Sequence, residues 1–255
     1  MSEVLQQQLK DGVLLLTLNR PEKKNALNIE LWEAIYSALE DASGNSEVAV
    51  VVITGAGGHF SSGVDLNDFS SAGGDHPYEK CARAVAAFDK PLIGAACGIA
   101  VGGGATMLFH TDVLYVGESL RMRLPFVNLG LVPEFASSYV LQAAIGSRKA
   151  AELFYTAEWI DAARAEQTGM VNAVFADEEV LPKALAKAAE IAQWPVNSLR
   201  ETKKTLKAAH QAGIEAAFTV EQAGMEKQAG SPENIEAVMA FIEKRQPDFK
   251  NLDKG

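Results

Sequence analysis

Two glycine-containing turns could present backbone N–H groups to an anionic oxygen. The first turn, residues 57–66, follows an apolar run at 48–54 that predicts a buried strand. The second, residues 98–108, contains Gly102, Gly103 and Gly104 and follows a second apolar run at 92–97. In open α/β sheets, ligands bind beyond the carboxyl ends of the strands, which is where both turns lie. One N–H group from each turn would make an oxyanion hole with two donors.

Each turn also has a purely structural interpretation. The first could be a strand-to-helix loop in which Asp65 or Asn67 caps the helix. The glycines of the second could let a helix pack tightly against its strand. A phosphate-binding loop is not indicated, because no Lys-Ser/Thr pair follows the glycines and the G-x-G-x-x-G spacing is absent. The residue types alone leave the structural and the functional interpretations open.

A single carboxylate, Glu134, stands in an apolar stretch with Phe126, Leu129 and Phe135. Such neighbours would desolvate the carboxylate and raise its pKa, which suits a general base. The alternative is that Pro133 begins a helix that runs to residue 145 and that Glu134 stabilises its first turn through the helix dipole. The four histidines are scattered without ligand spacing, so we expect no metal site.

The elements that would position these groups alternate between strand and helix. Strand, helix, strand between residues 48 and 97 predicts a parallel sheet. An Asp11-Gly12 turn predicts a hairpin, and small polar residues at 67–76 predict a mobile surface loop. The predicted strands are 5–10, 13–19, 48–54, 92–97, 112–117, 120–123 and 170–175, and the predicted helices start at Asn28 and Pro77 or span 133–145, 148–156, 161–168, 178–193, 196–209, 213–228 and 232–245.

Composition narrows the class of protein. The 255 residues are enough for a substantial core, and 48% hydrophobic with 22% charged residues is ordinary for a globular protein. A net charge of −10 argues against nucleic-acid and anionic-membrane surfaces, although a basic loop at 20–25 could hold a small anion. No apolar run approaches the roughly 20 residues of a membrane span, and no secretory signal is evident. Cys81 and Cys97 are expected to be free thiols, so we expect a cytoplasmic protein.

Several motifs in order resemble the crotonase (enoyl-CoA hydratase/isomerase) superfamily: Asn19-Arg20-Pro21 with Lys24-Asn25-Ala26-Leu27, Phe60-Ser61-Ser62-Gly63-Val64-Asp65-Leu66, and Lys90-Pro91 with Gly98 and Gly102-Gly103-Gly104. The resemblance covers roughly residues 4–245. It implies an α/β fold with a spiral core of repeated ββα units at 1–193 and a helical trimerisation region at 194–255. It also implies an acyl-CoA thioester substrate, no separate cofactor, and a homotrimer or dimer of trimers.

The resemblance assigns roles to individual residues. The N–H groups of Ser62 and Gly103 become the oxyanion hole for the thioester oxygen. Phe126 and Leu129 are expected beside the substrate, and Phe241 and Lys244 in the last helix would reach the nucleotide, often that of a neighbouring subunit. The remaining expected contacts with coenzyme A are Ser62, Gly63, Val64, Asp65 and Leu66 along its track and Lys24, Ala26 and Leu27 near its adenine end.

Departures from the family pattern point to a particular reaction. Hydratases of this family carry two glutamates at the positions that hold Thr106 and Phe126 here. Residues 128–134 instead resemble 3-enoyl-CoA to 2-enoyl-CoA (Δ3,Δ2) isomerases, in which one glutamate, here Glu134, moves a proton from C2 to C4. The alternatives are another activity of this fold, such as hydratase, thioesterase or dehalogenase, or a non-catalytic acyl-CoA-binding protein.

Overall fold

A computed structural model describes residues 4–65 and 77–252, so Leu66 and the predicted mobile loop at 67–76 lie outside the described residues. In chain order the strands and helices are β1 Leu5–Lys10, β2 Val13–Leu18, α1 Ile29–Gly44, β3 Val50–Gly55, α2 Pro77–Ala87, β4 Leu92–Ala96, β5 Ile99–Val101, α3 Gly103–Leu108, β6 Val113–Gly117, β7 Arg121–Arg123, α4 Ser137–Ile145, α5 Ser147–Thr156, β8 Trp159–Asp161, α6 Ala162–Thr168, β9 Ala173–Phe175, α7 Asp177–Ile191, α8 Val196–Ala208, α9 Gln211–Gln228 and α10 Pro232–Ile242. Short 3₁₀ turns occupy Pro21–Lys23 and Val127–Leu129.

The main sheet has six strands in the order β1-β2-β3-β4-β6-β9. β1 and β2 pair antiparallel across the Asp11-Gly12 turn, with Lys10 opposite Val13, which confirms the predicted hairpin. The other neighbours pair parallel, with Val52 of β3 opposite Ile93 of β4, which confirms the predicted crossover. The carboxyl ends of these parallel strands therefore meet along one edge of the sheet.

The chain then alternates between two sheets. After β4 and β6 in the main sheet it enters β5 and β7, which lie side by side in a second, three-stranded sheet of order β5-β7-β8. A helix follows each pair, α3 after β5 and α4 after β7. β3 begins a similar unit, because the chain after it forms a parallel bridge from Ser61 to Ala100 of β5. These repeated ββα units confirm the expected spiral core.

The parallel strands are buried on both faces. One face packs against the apolar side of α1. Asn28 caps this helix by accepting a hydrogen bond from Leu31 N at 3.0 Å. The other packs against Val180, Ala184 and Ala188 of α7. Strands covered on both faces are apolar at consecutive positions, because neither side of the strand meets water. This explains why β3 and β4 were recognisable as uninterrupted apolar runs.

The start of α4 differs from the prediction. The helix begins at Ser137 and not at Pro133, because Phe135 and Ala136 have left-handed backbones with φ of 66° and 52°. Two consecutive residues in that region cannot continue a right-handed helix. Glu134 therefore precedes the helix, and the interpretation that placed it in the first helical turn is wrong.

The other differences lie at short or terminal elements. β8 was missed because three residues carry too little periodicity to identify a strand; it pairs antiparallel with β7. α10 ends at Ile242, and its apolar residues Ile235, Phe241 and Ile242 are more than half exposed. Both cysteines are free. No helix within the described ranges is long and apolar enough to cross a membrane. The predicted domain boundary at 193/194 falls between α7 and α8 and stays a prediction.

The start of α3 packs directly against the first turn. A Cβ atom added to Gly104 would lie 2.7 Å from Ser61 Cβ and 2.9 Å from Ser61 O. We expect Gly104→Ala to lower the free energy of unfolding by about 1–3 kcal/mol, because rigid backbone would have to shift. Urea denaturation measures this. Gly44→Ala is the matched control, since no atom lies within 4 Å of its added Cβ. Equal midpoints for the two variants would contradict the tight contact.

Candidate active site

The first turn is held against the chain segment at 20–27. Leu27 N donates to Gly63 O at 2.8 Å, and Asp65 N donates to Leu27 O at 3.0 Å. Ser62 N donates to Lys24 O at 2.9 Å. Ser62 N and Asp65 N therefore both point toward the segment at 24–27. Gly63 N lies between them and donates to Ser61 Oγ at 3.1 Å.

These hydrogen bonds correct the predicted oxyanion donor of the first turn. The N–H of Ser62 is already bonded to Lys24 and cannot receive a ligand oxygen. The N–H of Val64 is the one left over in residues 62–65, and it donates to no partner among the residues that the structure describes. Val64 therefore replaces Ser62 as the candidate donor.

Gly63 lies where the two turns meet. A Cβ atom at Gly63 would lie 2.7 Å from Val101 O and 3.9 Å from Gly102 Cα, so the second turn occupies the space beside it. With φ at +90°, only glycine fits both the conformation and the contact. Gly63 therefore brings the two turns together.

The second turn supplies the other donor. Gly103 is the first residue of α3, where a backbone N–H has no acceptor within its own helix. In the described part of the chain, Gly103 N donates to no other group either. The two interpretations of this turn apply to different glycines: Gly104 permits close packing on Ser61, and Gly103 offers its N–H. Two free donors, Val64 N and Gly103 N, thus lie on turns that touch.

The basic loop at 20–25 braces the first turn. Asn25 is fully buried, with Nδ2 donating to Ala56 O at 2.9 Å and to His59 O at 2.7 Å. Arg20 forms a salt bridge of 2.9 Å with Asp65, so both predicted charges are paired with each other. Lys24 is exposed, whereas Ala26 and Leu27 are buried beside the turn. Of the predicted cations in this loop, Lys24 is placed to meet an anion from solvent and Arg20 is structural.

Glu134 lies over the second turn. Its Oε1 is 3.2 Å from the position of a Cβ atom on Gly103, and the ring of Trp32 is 3.3 Å from the same point. Desolvation raises the pKa of Glu134 to about 7, the negative charge of Glu221 adds to the rise, and a hydrogen bond from Tyr78 opposes it. The predicted effect of the apolar surroundings is therefore confirmed. A carboxylate with this pKa exchanges protons readily near neutral pH.

Three residues around Glu134 were not predicted from the sequence: Trp32, Tyr78 and Glu221. Trp32 and Tyr78 pack edge to face, with ring centroids 5.4 Å apart, and Phe135 completes this aromatic wall. Burial and the nearby carboxylates raise the pKa of Tyr78, so its hydroxyl stays protonated and donates to Glu134. The sequence does contain one indication that Glu221 is buried, because it shares a helical face with the apolar residues Ala217 and Phe218 of α9.

Two buried polar atoms have no hydrogen-bond partner in residues 4–65 and 77–252: Trp32 Nε1 and Ser137 Oγ. Both belong to residues beside Glu134. Trp32 and Glu134 both lie next to the Cβ position of Gly103, and Ser137 N donates to Glu134 O at 3.1 Å. Unpaired buried polar groups are few in native proteins, and a role in binding or catalysis is one explanation for them. Their position supports the assignment of this region as the site.

The two positions where the resemblance expects hydratase acids are apolar or internally bonded. Phe126 is buried against the ring of Phe154, with centroids 6.3 Å apart. Thr106 is fully buried, and its hydroxyl donates to Gly102 O at 3.2 Å. Neither side chain can give or take a proton near pH 7. Across the described residues no group of three or more His, Cys, Asp and Glu side chains is placed to hold a metal ion.

Leu129 contacts α10, the helix that carries Phe241. Leu129 is partly buried, and its carbonyl accepts a hydrogen bond of 2.7 Å from Asn234 Nδ2 of α10. Phe241, at the end of α10, and Lys244, just beyond it, are exposed. Their expected contact with a nucleotide stays a prediction, and Leu66 lies outside the described residues.

The sequence profile of the family described as enoyl-CoA hydratase/isomerase matches residues 8–252. The chain therefore belongs to this family, and it has the spiral fold of the crotonase superfamily. Its similarity to a crystal structure of an enoyl-CoA hydratase/isomerase from Pseudoalteromonas atlantica T6c gives a TM-score of 0.93 at 36% identity, covering 96% of this chain and 99% of that one.

Two curated relatives carry different activities in their names. The 2,3-dehydroadipyl-CoA hydratase of Escherichia coli K12 is 35% identical over 93% of this chain and 95% of its own length. Enoyl-CoA delta isomerase 2 of Rattus norvegicus is 32% identical over 92% of this chain, which spans 62% of the rat protein. The family relationship thus establishes an enzyme of the acyl-CoA hydratase/isomerase class and leaves the reaction to be argued from the site.

The raised pKa of Glu134 predicts a pH-dependent stability. Folding raises this pKa from 4.5 to about 7, so the folded state favours the protonated carboxyl. The resulting stabilisation is complete below about pH 4.5 and is lost as pH rises through about 7. Glu134→Gln has no such group. Its free energy of unfolding should therefore increase relative to wild type, by about 1–3 kcal/mol, between about pH 5 and pH 8.

Urea denaturation at several pH values measures this difference. The control is Glu158→Gln, which changes an exposed carboxylate and should give a nearly constant difference from wild type. A Glu134→Gln difference that is equally constant would mean that Glu134 titrates at its ordinary pKa.

Proposed function

We propose that this enzyme is a Δ3,Δ2-enoyl-CoA isomerase, which converts 3-enoyl-CoA into 2-enoyl-CoA. The observation that carries the proposal is the position of Glu134, whose Oε1 lies 3.2 Å from the Cβ position of Gly103. A base in that place can reach the carbon next to a carbonyl whose oxygen is bound by the N–H of Gly103. The pKa of about 7 lets the same carboxyl accept a proton and return it.

In the proposed reaction, Val64 N and Gly103 N donate to the thioester oxygen. Glu134 takes a proton from C2, and the charge moves onto the thioester oxygen, where the two donors stabilise it. The dienolate then accepts the proton from Glu134 at C4, and the double bond moves into conjugation with the carbonyl. The proton leaves and returns through one carboxyl, so the reaction needs neither a metal nor a redox cofactor.

The proposed substrate position follows from the first turn. Coenzyme A would run past residues 62–66, with the exposed Lys24 available to its phosphates and Ala26 and Leu27 near the adenine. The salt bridge between Arg20 and Asp65 would keep this track rigid without using a cation that the ligand needs. Lys24 would also offset the repulsion between a protein of net charge −10 and a polyanionic ligand.

The residues that replace the hydratase acids support isomerisation over hydration. Adding water to a 2-enoyl-CoA requires one group to activate the water and another to protonate the α-carbon. Thr106 has its hydroxyl bonded to backbone, and Phe126 is packed in the core. Glu134 could shuttle one proton alone, but hydration by Glu134 alone would need it to serve both roles.

Hydration is the second candidate, because several curated relatives are named hydratases, including the one from Escherichia coli. Those proteins show that the family fold supports hydration. Isomerisation uses Glu134 to carry one proton between two carbons, whereas hydration needs a water molecule at the site and two acid/base roles. A direct comparison of 3-enoyl-CoA and 2-enoyl-CoA as substrates therefore separates the two candidates.

We expect the purified protein to isomerise 3-enoyl-CoA much faster than it hydrates 2-enoyl-CoA of the same chain length. The product assay is chromatography of acyl-CoA species over a series of chain lengths. Glu134→Gln should lower the isomerase kcat by about 10³-fold or more, because the only proposed proton carrier becomes neutral. Coenzyme A binding should persist, since the oxyanion donors are backbone groups.

Exposed Glu158→Gln is again the control and should keep wild-type turnover. A hydratase rate within about tenfold of the isomerase rate would favour the second candidate. A Glu134→Gln variant that retained a tenth of wild-type isomerase activity would exclude Glu134 as the proton carrier.

We also propose that the protein assembles as a homotrimer or a dimer of trimers through its C-terminal helices. Ile235, Phe241 and Ile242 of α10 and Val220 of α9 are 55–71% exposed in the isolated chain. Large apolar side chains exposed on helices that end the chain are suited to binding another protein, if they form a continuous surface. Light scattering at micromolar concentration should therefore give the mass of a trimer or of a hexamer of the 27.2 kDa chain. A particle of 27.2 kDa would contradict the proposal.

A further inference from the structure

Glu221 is a buried carboxylate that the proposed reaction does not use directly. It lies on α9 with 6% of its surface exposed. Its Oε2 accepts a hydrogen bond of 2.6 Å from Ala136 N, and its Oε1 accepts one of 2.8 Å from Ser138 N. No Lys or Arg in the described ranges forms a salt bridge with it. Both oxygens are thus committed to the backbone at the start of α4.

That backbone has an unfavourable conformation. Phe135 and Ala136 both have positive φ, which costs free energy for any residue with a Cβ atom. Such a turn persists only where the surrounding contacts fix it. Glu221 fixes one side of the turn through Ala136 and Ser138. On the other side, His110 Nε2 lies 2.6 Å from Phe135 O.

His110 acts on this turn as a neutral group. Burial lowers the pKa of His110 to about 4, so at neutral pH the ring is uncharged. A carbonyl oxygen can only accept, so Nε2 carries the proton and donates it to Phe135 O. Two side chains from distant parts of the chain therefore hold the peptide units that directly follow Glu134.

We propose that Glu221 is a positioning residue: through Ala136 N and Ser138 N it fixes the left-handed turn at 135–136 and so holds the carboxylate of Glu134 over Gly103. The inference rests on the proposed role of Glu134 as proton carrier. Glu221 contacts neither the oxyanion donors nor the carbonyl that they would bind. Its effect reaches the chemistry only through the backbone and through its charge.

The charge of Glu221 also acts on Glu134. After desolvation, it is the next largest cause of the raised pKa of Glu134. Burial raises the pKa of Glu221 itself, and its bonds to Ser138 and Ala136 oppose that rise. The other titratable groups that face this pair are Tyr78 from α2, which is protonated and donates to Glu134, and His110, which is neutral. Removing the Glu221 charge should therefore lower the pKa of Glu134.

The test compares Glu221→Gln with the wild-type protein by two independent measurements. The first is steady-state isomerisation of 3-enoyl-CoA, in which kcat should fall about 10- to 100-fold while KM changes less than about threefold, because the misplaced base affects the chemical step. The second is a ¹³C NMR titration of protein labelled at the glutamate carboxyl carbons, with Glu134→Gln identifying the Glu134 signal. In Glu221→Gln that signal should titrate at lower pH than in wild type.

Glu226→Gln is the matched control, since Glu226 is exposed on the same helix. It should change neither measurement. Glu221→Asp is the second variant: it keeps the charge and shortens the reach. It should lower kcat while leaving the pKa of Glu134 raised, and it replaces Glu221→Gln in the test if that variant does not fold.

The outcomes separate the two proposals. If wild type shows no isomerase activity, the proposed function fails, and the NMR titration alone decides the role of Glu221. A Glu134 titration that is unchanged in Glu221→Gln, or a kcat of that variant within about twofold of wild type, would overturn the inference. A rise in KM alone would also overturn it, because it would assign Glu221 to substrate binding.

Discussion

The contact between the first and second turns is the constraint on which the site depends. Gly63 lies against Val101 O, and Gly104 lies against Ser61, so neither position has room for a side chain. The parallel bridge from Ser61 to Ala100 keeps the two segments in register. This contact fixes two backbone N–H groups relative to each other without any side chain. Donors fixed in advance need no reorganisation when charge develops on a bound oxygen, which is what makes them effective.

The carboxylate over these donors depends on a different set of forces. Burial and the charge of Glu221 raise the pKa of Glu134 to about 7, and a hydrogen bond from Tyr78 limits that rise in pKa. Full burial of an isolated charge would be costly, so the site balances desolvation against one donor. The aromatic wall of Trp32, Tyr78 and Phe135 supplies the low-polarity side of that balance. The backbone turn that carries Glu134 is set by Glu221 and His110, which lie far away in sequence.

Much of the fold could be predicted from local patterns. The Asp11-Gly12 hairpin and the apolar runs of β3 and β4 gave correct strands, because turn chemistry and burial on both faces leave local signatures. The start of α4 could not be predicted, since Pro133 and Glu134 suit a helix locally and only tertiary contacts impose the positive φ of Phe135 and Ala136. β8 pairs across more than thirty residues and is too short for a pattern.

The candidate site was predictable in part. Glu134 and the two turns could be recognised from residue types. The candidate donor within the first turn could not, because the choice between Ser62 and Val64 depends on which N–H the folded segment at 24–27 already binds. Trp32 of α1 and Tyr78 of α2 come close to Glu134 only when these two helices pack against the segment that precedes α4. Contacts of that kind have no signature in one sequence.

The proposed base and the candidate oxyanion donors lie on different connections of the spiral. Val64 and Gly103 follow β3 and β5, whereas Glu134 lies on the later connection between β7 and α4. A substitution that placed the acid on another connection would therefore leave the contact between the two turns in place. Under the proposed roles, the anion-stabilising frame and the proton carrier can change independently of each other. Such independence is consistent with relatives named as hydratase and as isomerase at similar identities to the same chain.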